Sequence, residues 1–154
     1  MKRTFAYLMT AFVATAITVT SCSPTKDAPD KKDTIEFVGT LDGAQEVPSV
    51  QSAGTGTMTG TYNKVTRELS YTVNYSGITP TAGHIHLSPG GPGTNGPVII
   101  PFASLTSPIS GRVTFEQRNQ DWENALVEGR LYVNLHTTKF PGGEIRAFIK
   151  RKAF

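Results

Sequence analysis

Leu69-Ser70-Tyr71-Thr72-Val73-Asn74-Tyr75 alternates large apolar or aromatic residues with small polar ones. Successive side chains on a β-strand point to opposite faces, so this period of two marks a half-buried strand. Upstream, residues 55–62 alternate more weakly, with Met58 set among threonines and glycines. Asn63-Lys64-Val65-Thr66 lies between the two runs and reads as a hairpin turn, which predicts that they pair. Residues 35–41, 84–87, 98–102, 109–116, 130–136 and 144–150 supply further strand candidates separated by Gly, Pro, Ser and Asn clusters. About eight short strands at this spacing predict an all-β fold, a Greek-key-like antiparallel β-sandwich or barrel.

One stretch departs from the strand period. Residues 119–129 contain helix formers, with Trp122 and Leu126 four apart, Asn119 as N-cap and Gly129 placed to end the helix. A short helix bridging two strands is expected, with Trp122 closing one end of the sandwich; the alternative for that ring is ligand stacking.

The start of the chain bears on compartment. Met1-Lys2-Arg3 is basic and residues 5–19 are apolar or small without a charge, the architecture of a secretory signal peptide. This run is short for a membrane span, which needs about 20 apolar residues. Val19-Thr20-Ser21-Cys22 resembles the lipobox of bacterial lipoproteins. That resemblance implies a signal peptide over 1–21, cleavage before Cys22, and acylation of its thiol. Cys22 is the only cysteine, so no intramolecular disulfide forms. Residues 23–33 carry no apolar side chain larger than Ala or Pro, and 22–34 is read as a flexible tether. Ser23, where an Asp would signal retention, resembles the pattern sent to the outer membrane. The expected location is the bacterial cell envelope, with the membrane as partner through Cys22.

Residues 35–154 are the size of one domain. The sequence pI of about 9.1 overstates its basicity. Five of the 15 Lys and Arg and three of the 12 Asp and Glu lie at or before residue 34, which leaves the domain nearly balanced. No basic stripe points to nucleic acid.

All three histidines fall in two motifs, Ala82-Gly83-His84-Ile85-His86 and Asn134-Leu135-His136-Thr137, each leading into a Gly/Pro-rich turn. His84 and His86 share one strand face while Ile85 takes the other. Leu131, Val133 and Leu135 are the expected core face of the later strand, which puts Tyr132, Asn134 and His136 on the opposite side. Two readings are open. The imidazoles serve as hydrogen-bond donors to loop carbonyls, or they meet at a copper or zinc ion with a fourth position for water. Glu144 and Arg146 share a face of the next strand and, with Asn134, are candidates to orient an imidazole or an anion; the plainer reading of the Glu144 and Arg146 pair is structural. Residues 89–97 lack a lysine and a following helix, so they form a turn and not a phosphate loop.

Other chemistry finds no anchor. Ser88 and Ser104 lie in no nucleophile elbow, and Asp42, Glu46 and Glu116 are scattered singly. No catalysis is expected, and no cofactor beyond that possible copper or zinc.

Together, Gly83-His84-Ile85-His86, Asn95-Gly96-Pro97-Val98, residues 131–137 and Pro141-Gly142-Gly143-Glu144-Ile145-Arg146 resemble the CHRD domain, first named in chordin. Residues 37–41, Gln45-Glu46-Val47-Pro48 and Gly54-Thr55-Gly56 fit the same pattern. Ala147 departs from it, since the family usually carries glycine there. The resemblance implies a binding or structural role, with a protein partner in the periplasm or outside the cell. A fainter resemblance is to Cu/Zn superoxide dismutase, where it implies His84, His86 and His136 as copper ligands and Arg146 as the arginine that guides an anion. This chain has no histidine for the bridging position, no zinc-site cluster and no disulfide pair. What that resemblance implies is at most a mononuclear site, with superoxide-related activity its remotest consequence.

Overall fold

A computed structural model describes residues 31–116 and 120–153. The expected signal peptide, Cys22 and most of the tether lie outside the described residues, as does the expected N-cap Asn119. The elements are β1 (Thr34–Leu41), β2 (Thr55–Asn63), β3 (Glu68–Ser76), β4 (Ala82–Leu87), β5 (Val98–Pro101), β6 (Ile109–Thr114), α1 (Gln120–Val127), β7 (Leu131–His136), β8 (Ile145–Phe148) and β9 (Lys150–Arg151). They form two antiparallel sheets, ordered β6-β3-β2-β1-β9 and β5-β4-β7-β8. The fold is therefore an all-β sandwich.

The 69–75 alternation is obeyed: Leu69, Tyr71 and Val73 are buried, and Tyr75 packs, partly buried, against the same core. Strand β3 pairs with β2 through the expected hairpin, Met58 opposite Val73 and Tyr62 opposite Leu69. The Asn63 carboxamide oxygen accepts from the backbone N–H groups of Val65 and Thr66, which fixes the turn. The first strand begins one residue before the expected boundary. Lys31–Asp33 makes a 3-10 turn and Thr34 already pairs with Asn63, because the hairpin register extends that far.

Between the sheets, Phe37, Leu41, Met58, Tyr62, Leu69 and Val73 meet Ile85, Leu131, Val133, Leu135 and Ile145 in one core cluster. Full burial of each such side chain contributes about 1.5–3 kcal/mol. The expected core face of β7 is thus the observed one, and Ile85 joins it.

The last expected strand, 144–150, divides in two. Strand β8 pairs with β7, then the chain passes Ile149 and β9 pairs with Phe37 and Val38 of β1 in the other sheet. This change of sheet makes nine strands among the described residues where about eight were expected. Helix α1 lies between β6 and β7. Arg130 N–H donates to the Ala125 carbonyl and Gly129 N–H to that of Leu126, with Gly129 at φ +73°, a Schellman ending. Leu126 is in the core and Trp122 packs, partly buried, against it. Among the described residues no helix is long and apolar enough to cross a membrane.

Candidate functional site

The four-stranded sheet has a second face, turned away from the core. Its register places His84, Asn134 and Arg146 in one cross-strand row and His86, Tyr132 and Phe148 in the next. His136 lies opposite Ala82, one row further. Period-two arithmetic puts these side chains outside the core, and that is where they lie. The face is nevertheless largely covered. Tyr132, Asn134, Arg146 and Phe148 are all buried.

Three loops provide the cover. Asp42 accepts from Gln45 N–H and caps the single turn Gly43–Gln45, which delivers Glu46 over Asn134, where the Asn134 amide donates to Glu46 Oε2 at 3.4 Å. Residues 89–97 bring in Asn95 and Gly96. The Asn95 side-chain oxygen accepts from Arg146 at 2.8 Å, its amide donates to the Val47 carbonyl, and Gly96 N–H donates to the Tyr132 hydroxyl oxygen. A Cβ at Gly96 would stand 1.7 Å from the Leu87 carbonyl oxygen, so only glycine lets this loop approach so closely. The third loop, 139–143, presents the Pro141 carbonyl to His136.

The three imidazoles converge. One ring nitrogen from each of His84, His86 and His136 lies within 4.8 Å of the other two. His84 Nδ1 is 3.3 Å from His136 Nε2. His86 Nδ1 is 3.0 Å from the Gly96 carbonyl, and His136 Nδ1 is 3.0 Å from that of Pro141. A carbonyl only accepts, so both Nδ1 atoms carry a proton, and in the neutral tautomer each Nε2 then presents a lone pair. The His86 Nε2 is buried without a hydrogen-bond partner. His86 also stacks on Tyr132, ring centroids 4.9 Å apart and planes 12° from parallel. Burial, and after it the electrostatic influence of the neighbouring His136 ring, pushes His84 below its ordinary value; burial does the same to His86 against the opposing Gly96 bond. Both rings are neutral at neutral pH.

Beside the imidazoles lies a second polar group. Arg146 is wholly buried, its guanidinium 4.5 Å from the Tyr132 ring centroid and 5.4 Å from that of Phe148. Its Nε and Nη2 have no hydrogen-bond partner, nor do Glu46 Oε1 and Asn134 Oδ1. Burial raises the Glu46 carboxyl to about 7, although the positive charge of Arg146 and the Asn134 bond pull the other way.

The residues singled out from sequence therefore separate. His84, His86 and His136 come together, and Asn134 and Arg146 lie in the adjoining row. Glu144 is directed elsewhere: its two oxygens accept from the hydroxyls of Ser52 and Thr137. Sequence reasoning missed Glu46, counted among scattered carboxylates, and the roles of Asn95, Gly96 and Tyr132. All four stand within motifs already quoted, 45–48, 95–98 and 131–137.

The described residues thus form a β-sandwich carrying a buried polar layer on one sheet. The CHRD domain family matches over residues 37–149, and the chain belongs to that family. No curated protein and no solved structure matches it, so the likeness to superoxide dismutase gains no support.

Proposed function

We propose that the protein is an exported bacterial lipoprotein, held at the outer membrane of the cell envelope by acylated Cys22. Its folded domain binds a ligand through the outer face of the four-stranded sheet and performs no catalysis. The basic start, the uncharged apolar run and Val19-Thr20-Ser21-Cys22 support the anchor. Membership of the CHRD family supports a binding or structural domain.

One observation carries the binding reading. Every buried side-chain N or O atom found without a hydrogen-bond partner among the described residues belongs to Glu46, His86, Asn134 or Arg146 on this one face. Native proteins satisfy nearly all buried polar groups, and each exception costs about 1–3 kcal/mol. Such a concentration of unmet donors and acceptors lowers stability, and a binding role explains why it is there.

Two measurements test the proposal. Cys22→Ser should move the protein from the membrane fraction to the soluble one; retention at the membrane would overturn the anchor. Arg146→Met, which keeps contact with the Tyr132 and Phe148 rings, should leave the unfolding free energy at pH 6 unchanged or higher. A loss above about 3 kcal/mol, the cost of breaking a buried structural charge pair, would show that the arginine holds the fold together and would sink the binding reading.

A further inference from the structure

We infer that His84 Nδ1, His86 Nε2 and His136 Nε2 form a mononuclear transition-metal site that takes zinc or copper. The inference deepens the binding-face reading by naming its ligand, and it rests on that reading.

Two independent observations carry it. The first is distance. Two nitrogens each about 2.0–2.1 Å from one tetrahedral ion stand about 3.3 Å apart, and His84 Nδ1 and His136 Nε2 are 3.3 Å apart. One nitrogen from each of the three rings falls inside a 4.8 Å limit, wider than that edge, so a bound ion would draw the His86 ring inward. The second is the His86 lone pair, fixed on Nε2 by the Gly96 carbonyl and buried without any donor facing it. A structural histidine in a packed layer would be expected to have that atom satisfied.

The surroundings match what a metal-binding imidazole requires. A ligating histidine normally donates its other N–H to a carbonyl or carboxylate, which fixes the tautomer and orients the ring. The Gly96 and Pro141 carbonyls do this for His86 and His136. Among the described residues the set holds no carboxylate and no thiolate. Three imidazoles alone suit zinc and copper and disfavour calcium and magnesium, which need oxygen ligands. His84 and His136 are only partly buried, which leaves one side open to a water or an exogenous donor as fourth ligand.

The test uses the full-length protein purified in detergent and stripped of metal with a chelator. Calorimetric titration with zinc chloride, and separately with copper(II) sulfate, should give one ion per chain with a dissociation constant below about 1 µM. His84→Gln and His136→Gln should each weaken binding at least about 100-fold, since losing a ligand costs more than losing its hydrogen-bond partner. Both rings are partly exposed, and circular dichroism would verify that each variant folds. The paramagnetic resonance of the copper(II) form should show coupling to three nitrogens. Absence of stoichiometric uptake, or uptake unchanged in both variants, would overturn the site and leave a hydrogen-bonded histidine pair. That failure is separable from failure of the binding-face reading, because Arg146→Met and Cys22→Ser alter neither the histidines nor their carbonyl partners.

Discussion

His84 Nδ1 stands 3.3 Å from His136 Nε2 although 52 residues separate them in the chain. The antiparallel register of β4 and β7 makes the approach, with Ala82 opposite His136 and His84 opposite Asn134, so the two rings meet on a diagonal. The geometry of this pair is therefore a property of the sheet.

An ion that binds only the folded state stabilises it by mass action. Free zinc at 100 times its dissociation constant should add about 2.7 kcal/mol. Thermal unfolding with and without zinc is expected to show that upward shift in the wild type and no more than about 0.4 kcal/mol of it in His84→Gln.

Gly96→Ala should damage the site without touching a histidine. The added Cβ would lie 1.7 Å from the Leu87 carbonyl oxygen, and the loop must retreat, carrying with it the Gly96 carbonyl that orients His86. The cost in stability should be that of overpacking, about 1–3 kcal/mol. Metal titration of the variant should show weakened uptake.

Stability should depend on pH through Glu46. Its carboxyl is raised from 4.5 to about 7, so the folded form keeps a proton that the unfolded chain has released. Its contribution is fully present below pH 4.5 and is lost as pH rises through 7. Denaturant titrations of the wild type relative to Glu46→Gln should show a loss on the order of 3 kcal/mol across that window. Parallel pH curves for the two proteins would contradict the assignment.

Leu135 is fully buried in the core, directly behind the site. Leu135→Ala should cost about 2–5 kcal/mol by transfer and cavity formation. Thr59→Ala, on the exposed face of the larger sheet, should change stability by less than about 0.5 kcal/mol. Chemical denaturation would measure both.

Much of this structure is legible in local pattern. Leu69, Tyr71 and Val73 announce β3 because one face is dry and the other wet, and the same arithmetic puts His84, His86 and His136 outside the core. It does not reveal what lies over that face. Arg146 looks like a solvent-facing strand residue, yet it is buried because Asn95 and Glu46 arrive from loops 51 and about 100 residues away in sequence. The division of the last strand at Ile149 is hidden for a different reason. Ile145, Ala147 and Ile149 all face the core, so the alternation continues unbroken while the hydrogen-bonding partner changes from β7 to β1.

That change of partner has a mechanical consequence. Strand β1 is clasped on one side by eight residues of β2 and on the other by β9, which continues directly from a strand of the opposite sheet. Tension entering at Thr34 runs along β1 and loads its cross-strand bonds in shear, all at once, where a strand peeled from an edge would lose its bonds in succession. A pull from the N-terminal side is thus shared by both layers of the sandwich before any single pairing gives way.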